Sequence, residues 1–323
     1  MNLTPYYDFA VRTAQHAGKI LLDHYQTDLK INYKSSNKKN LVTMVDKKSE
    51  KFIVDAIRKN FPDHSILAEE GGEYGPLAAE KDHARTSDQS SGQHNSRAKT
   101  AGRQPTLTKS KVAAHTFRWI IDPLDGTTNY AHGHNFFAVS IALEIDGEIV
   151  IGVVYAPQLD ELFRAAKGHK AYLNNETIHV SKIKKLDDSL LATGWIYEQR
   201  DRNMPFVKKF MGECHGLRRC GAAAIDLAYL AMGRYEGFWE FGLKAWDIAA
   251  GKLIVEEAGG KITDMAGKKI NIDDFWNSKK SAAAEKSDAH ASDKADSKQA
   301  PPTILATNSL IHSQMLKEIK SVK

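Results

Sequence analysis

The sequence predicts an α+β fold built from stacked layers of helix and sheet, and three observations carry that prediction. Segments of helical and strand periodicity alternate in both halves of the 323-residue chain. Gly, Pro and Asp punctuate them at short intervals. A composition of 42% hydrophobic and 26% charged residues describes a globular chain of roughly two domains' length, long enough to bury a large core.

The elements follow in order. Thr4-Pro5 predicts a helix start, with Thr4 as N-cap and proline at the first helical position. Phe9, Ala10, Ala14, Ala17, Ile20 and Leu21 then recur at helical spacing to about Tyr25. A second helix is predicted from Asp46 to Asn60, with Phe52, Ile53, Ala56 and Ile57 on one face and Pro62 as its stop. Ser65–Ala68 reads as a strand ending in Glu69-Glu70-Gly71-Gly72, and Trp119–Ile121 as a short buried strand ending at Asp122. Phe136–Ile145 and Ile149–Tyr155 flank Asp146-Gly147, a hairpin signal. Strands near Glu161–Ala165 and Ser189–Thr193 precede helices at Met204–Met211 and Ala222–Met232, the latter closed by Gly233. Tyr235–Phe241 is strand-like, and Trp246–Ala258 is a helix stopped by Gly259-Gly260. Lys261–Asp264 and Ile304–Ala306 read as strands, and Ser309–Ile319 as the last helix. The expected division is an N-terminal half, 1–155, and a C-terminal half, 156–323.

Two segments stand apart. Residues 81–111 and 278–302 are rich in Ser, Ala, Lys, Asp, Gln and His, with almost nothing to place in a core, and read as disordered or loosely ordered insertions. The first carries seven basic against two acidic residues, which accounts for the chain's whole net charge of +5. The rest is near neutral, so the basic balance does not describe a nucleic-acid-binding face, and the insertion has no aromatic residue for base stacking. Cys214 and Cys220 form no CxxC and no disulfide framework, favouring a reducing cytoplasm. No apolar run approaches the ~20 residues that cross a bilayer. A secretory signal is not expected either.

The chemistry gathers at four acidic positions. In Asp122-Pro123-Leu124-Asp125-Gly126-Thr127-Thr128-Asn129 an apolar strand runs into two carboxylates three residues apart. Carboxylates converging at a strand end repel, and a hard cation between them removes the repulsion. The N–H groups of Gly126 and Thr127 could then cradle an anion. Taken alone, the same residues also make an ordinary tight turn with two solvated acids. Glu69-Glu70 sits at another strand end and alone reads equally as an acidic turn. Asp247, in Trp246-Asp247-Ile248, and Asp46, after Leu41–Val45, each read singly as helix N-caps. Together the four positions each end an apolar segment, where layered folds gather their loops. Oxygen-only donors without His or Cys select magnesium or a similar hard ion over zinc or copper.

At this point the chain resembles the inositol monophosphatase family of magnesium-dependent, lithium-sensitive sugar phosphatases. WIIDPLDGTTNYAHGHNFFAVSIALEIDGEIVIGVVYAP and AWDIAAGKLIVEEAGGKITD resemble its central and C-terminal signatures; LAEEGG, LVTMVD and GAAAIDLAYLAMGRYEGFWEFGL resemble the motifs between. The resemblance covers about residues 5–80, 114–275 and 303–320, and implies an αβαβα sandwich like that of the inositol monophosphatase and fructose-1,6-bisphosphatase fold. It implies two or three magnesium ions. Glu69, Asp122 and the Leu124 carbonyl would hold the first, and Asp122, Asp125 and Asp247 the second. Glu69 and Thr127, backed by Asp46, would position and activate the attacking water. The amides of Gly126 and Thr127 would take the phosphate, while Glu240, Gly221 and Ala223 would face the substrate's hydroxyls. Ala222 stands where relatives often have Ser or Thr, removing one substrate hydrogen bond.

The expected activity is hydrolysis of small sugar or polyol monophosphates, myo-inositol 1-phosphate first, by a cytoplasmic homodimer. Fructose 1,6-bisphosphatase activity is the alternative within the class. A protein that keeps the fold and binds RNA or a partner is the alternative outside it. Neither a specific nucleic acid nor a membrane is an expected partner.

Overall fold

The computed structural model describes residues 1–27, 31–33, 41–77, 115–276 and 301–322. Insertion 81–111 lies outside them, as does 278–302 except for Pro301 and Pro302. The first helix, α1, spans Thr4–His24 and buries Phe9, Ala10, Ala14, Ala17 and Leu21, the face that periodicity predicts. Its cap differs from expectation. Thr4 is already helical, the N-cap is Leu3, and the Asn2 side chain accepts the Thr4 amide at 3.0 Å. The second helix, α2 (Met44–Asn60), starts two residues before Asp46, so Asp46 lies inside its first turn rather than at the N-cap.

One large sheet follows, built from β3 (Ser65–Ala68), β4 (Gly72–Tyr74), β5 (Phe117–Asp125), β6 (Ala138–Ile145), β7 (Glu148–Ala156), β8 (Glu161–Ala166), β9 (Ala171–Leu173) and β10 (Glu176–Ile178). Its order is β10-β9-β8-β7-β6-β5-β3-β4, antiparallel except for the β3–β5 pair. A two-stranded ribbon, β1 (Ile31–Tyr33) with β2 (Leu41–Thr43), stands apart from it. The β6–β7 hairpin turns on Asp146 and Gly147, both at positive φ, the two-residue connection that matches strand twist. The sheet continues past residue 155 to Ile178; the short strands β9 and β10 carry too few residues to show an alternating pattern in sequence. The second sheet begins only at β11 (Leu190–Thr193).

That sheet contains β12 (Gly216–Arg218), β13 (Gly237–Phe241), β14 (Lys261–Thr263) and β15 (Thr303–Thr307), in the order β12-β11-β13-β15-β14. Helices α1 and α2 cover one face of the large sheet. Helices α5 (Ala223–Ala231) and α6 (Ala245–Glu257) fill the space between the sheets. Helices α4 (Arg200–Met211) and α7 (His312–Ser321) cover the outer face of the small sheet, packing Phe210, Met315 and Ile319 on Trp239 and Leu305. The five layers are helix, sheet, helix, sheet, helix. Between α6 and the large sheet the approach is close enough that a Cβ on Gly152 of β7 would stand 2.6 Å from the Ala250 carbonyl oxygen. Among the described residues no helix is long and apolar enough to cross a membrane.

Candidate functional site

Strand pairing brings the first two acids together. In the parallel β3–β5 pair Ala68 stands opposite Ile121, so the next residues, Glu69 and Asp122, are neighbours where β3 ends and β5 continues. The strand predicted to stop at Asp122 instead runs on to Asp125, because β6 tracks it through a break in register between Asp122 and Asp125. Pro123 has no N–H to give the ladder, and a bulge is where a sheet tolerates it. The bulge turns both aspartates out of the same strand end. Asp122 is 2% exposed and Asp125 9% exposed.

Each remaining acid is fixed by its own helix. Asp247 is the third residue of α6, and its carboxylate accepts the Lys244 backbone N–H at 2.6 Å. It therefore closes a capping box from within, rather than being the N-cap. The start of α6 is tied to β6 beside the cluster, where Ser140, opposite Asp122, donates its hydroxyl to the Trp246 carbonyl at 3.3 Å. Asp46 is fully buried, and the Thr127 hydroxyl lies 3.2 Å from its carboxylate and 3.1 Å from the Leu124 carbonyl. Its one proton is shared between the two acceptors. Ser49 donates to the Pro123 carbonyl at 3.0 Å, bracing the bulge against α2.

Gly126 caps the five-residue helix α3, Thr127–Ala131, in the left-handed region at φ 84°. A Cβ there would meet the Phe136 carbonyl at 2.9 Å and the Ala222 methyl at 3.2 Å, so glycine is required on both counts. Asn129 stitches this turn to the entry of α5, donating to the carbonyls of Phe136 at 2.7 Å and Cys220 at 2.8 Å. On the α5 side, the Ala224 amide donates to Asp125 at 2.7 Å. Ala222, read from sequence as helical, is the N-cap, and Ala223 is the first helical residue.

Burial, then the charges of Glu69, Asp125 and Asp247, push the Asp122 carboxyl well above the usual carboxylate range. Burial, then Asp247, does the same to Asp125 against the pull of the Ala224 amide. Glu240, on β13 and 6% exposed, is raised by burial, then by Asp226 and Asp247. The cluster is thus short of positive charge. Among the described residues no group of three or more His, Cys, Asp or Glu side chains is preset at the spacing of a metal cage. The chemistry of the donors nonetheless fits a hard divalent cation: all are oxygens, and Asp122, Asp125 and Asp247 each spend one oxygen on a backbone amide.

The structure also places residues that the sequence reading passed over. Asp226 is 1% exposed on α5, and among the described residues neither of its carboxylate oxygens has a hydrogen-bond partner. Burial, then Asp125, raises it well above the usual range. The sequence signal was an acid inside an otherwise apolar helix, AAIDLAYLA. Arg219 and Trp195 flank the same side, with the guanidinium over the indole ring.

The inositol monophosphatase family model matches residues 2–301. Nus factor SuhB of Escherichia coli strain K12 is 37% identical over 266 residues, covering 81% of this chain and 86% of its own. The extragenic suppressor protein SuhB of Bartonella henselae superposes with a TM-score of 0.72 at 33% identity, over 97% of both chains. The inositol monophosphatase of Anabaena (Nostoc) sp. PCC 7120 superposes with a TM-score of 0.71 at 33% identity, over 100% of this chain and 98% of its own. With its acids gathered on a matching five-layer frame, the chain belongs to the inositol monophosphatase family.

Proposed function

We propose that the chain is a magnesium-dependent phosphoric monoester hydrolase of small sugar or polyol monophosphates, with myo-inositol 1-phosphate as its leading substrate. The observation that carries this reading is the convergence of Glu69, Asp122, Asp125 and Asp247 beside the Gly126–Thr127 turn, where burial and mutual repulsion raise the carboxyls of Asp122 and Asp125. Glu69, Asp122 and the Leu124 carbonyl would hold one magnesium, and Asp122, Asp125 and Asp247 a second. Bound there, magnesium supplies positive charge that neutralises phosphate oxygens and acidifies water. Thr127, its hydroxyl between Asp46 and the Leu124 carbonyl, and Glu69 at the end of β3 orient the attacking water. The amides opening α3 point donors at the phosphate, since the first N–H groups of a helix have no partner within it. Glu240, Gly221 and Ala223 receive the hydroxyls of the polyol. A homodimer is part of the same reading, and light scattering checks it.

Phosphate release, with magnesium, from inositol 1-phosphate, fructose 1,6-bisphosphate and 3′-phosphoadenosine 5′-phosphate tests the proposal. Turnover of inositol 1-phosphate is expected. No release from any of the three, in protein shown to bind magnesium, overturns it.

A second reading rests on the name of the curated relatives, Nus factor SuhB. In it the chain also acts as a partner of other macromolecules, independently of turnover. A catalytically silent variant that still complements loss of the chain in its host would favour that role.

A further inference from the structure

Glu240, Gly194, Trp195, Arg219 and Gly221 follow one another in a chain of neighbours beside the candidate site. Gly194 lies so close to Glu240 that a Cβ on it would collide with the carboxylate. The next residue, Trp195, offers its ring to Arg219, whose guanidinium carbon is 5.0 Å from the ring centroid. Arg219 in turn packs on Gly221, where a Cβ would come within 2.8 Å of Nη1. The next residue again, Ala222, packs on Gly126 of the turn assigned to the phosphate. Arg219 is therefore anchored one residue beyond the phosphate turn, on the side of Gly221 and Glu240. Its charge is felt there, pulling the Glu240 carboxyl down against the effect of burial.

Arg219 is exposed, and among the described residues it forms no ion pair, whereas Arg118, Arg200 and Arg234 each do. An arginine held over an indole is partly ordered already, and loses little further freedom when its guanidinium pairs with an anion. The planar fork matches phosphate and carboxylate geometry, and has nothing comparable to offer an uncharged polyol edge. We propose that Arg219, held against Trp195, docks a second anionic group of the substrate while the first phosphate sits at Gly126 and Thr127. This deepens the phosphatase reading and rests on it. Bisphosphorylated sugars, and sugar phosphates bearing a carboxylate, gain from the residue; inositol 1-phosphate leaves the fork to water.

The test compares wild type with Arg219→Gln, Arg219→Lys and Trp195→Ala. Phosphate release is followed with magnesium on fructose 1,6-bisphosphate, 6-phosphogluconate and inositol 1-phosphate. Losing a charge-assisted contact is expected to lower the ratio of kcat/KM, bisphosphate over inositol 1-phosphate, by about tenfold or more in Arg219→Gln. The loss appears in KM, Arg219→Lys falls between, and Trp195→Ala shows a smaller loss in the same direction. The 6-phosphogluconate arm reads whether a carboxylate serves as well as a second phosphate. A ratio unchanged in Arg219→Gln overturns the proposal. Calorimetric binding of the same compounds, with calcium replacing magnesium, separates this failure from that of the phosphatase reading. If no protein releases phosphate, a selective loss of bisphosphate binding in Arg219→Gln still supports the docking role, and equal binding by both proteins overturns it.

Discussion

Asp122 concentrates the residue-scale argument. It stands on β5 beside the end of β3 that carries Glu69, accepts the Leu124 amide at 3.0 Å, and carries the repulsion of three other acids. Asn at this position keeps the shape and the amide bond but removes one charge. Asp122→Asn should therefore fold, and the metal-free variant should melt above metal-free wild type. Turnover should fall by more than about a hundredfold, beyond the loss typical of a merely supporting group at a metal site. Paired calorimetry and phosphate-release assays check both halves. Substantial activity at saturating magnesium would remove Asp122 from the ligand set. Thr127 makes a milder case: Val keeps its volume but leaves Asp46 buried without that hydroxyl. Thr127→Val should cost about 1–3 kcal/mol of stability, measured by urea unfolding, together with a drop in kcat.

At the scale of elements, α6 matters most because its third residue is Asp247. The helix reaches the site only because β7 offers it Gly152, against which the Ala250 backbone lies. Gly152→Ala inserts a methyl where backbone cannot yield, and should cost about 1–3 kcal/mol. It should also lower kcat by displacing Asp247, an effect that an isosteric change on the opposite sheet face would not produce. The small sheet has its own fastening. His312 at the start of α7 is 2% exposed, its two ring nitrogens 3.0 Å from Thr307 and 3.1 Å from Thr263. Burial, helped by the charge of Lys261, lowers its pKa from 6.5 to about 4. The unfolded chain thus takes up the proton first. The stability due to neutral His312 is complete above pH 6.5 and is lost as pH falls from there toward 4, about 3 kcal/mol in all. The stability of wild type relative to His312→Asn should shrink over that window; a constant difference would show that the ring does not titrate in this way.

For the whole molecule, the excess negative charge between the layers makes cation binding and folding one equilibrium. An ion that binds only the folded chain adds about 2.7 kcal/mol at a hundredfold excess over its Kd. Magnesium should accordingly raise the Tm of wild type in a concentration-dependent way, and that of Asp122→Asn much less. Lithium, added at limiting magnesium, should depress turnover if a small cation can take a place among Asp122, Asp125 and Asp247. Thermal shift and inhibition curves on the same preparations read both effects.

Much of this was legible in the chain. The apolar periodicities of α1, α2 and α6, the Asp146-Gly147 hairpin and the Asp-Pro-Leu-Asp-Gly-Thr-Thr run are local patterns, and local patterns survive in one dimension. The Asp-Pro bulge was harder to see, since its length depends on β6 continuing alongside. Three-residue strands such as β9, β10 and β12 exist only because a neighbour supplies their hydrogen bonds. Asp46 and Asp247 looked like helix caps until the fold set one behind Thr127 and closed the other onto Lys244. Asp226 carried only the signal of an acid inside an apolar helix, and Arg219 carried none, being one arginine among many. The sequence by itself determined which elements form and which acids end them, because spacing along a strand or helix decides that. Only the tertiary structure decided which acids share a charge and which cation stands beside Glu240, because those relations depend on register and layer packing between separate elements.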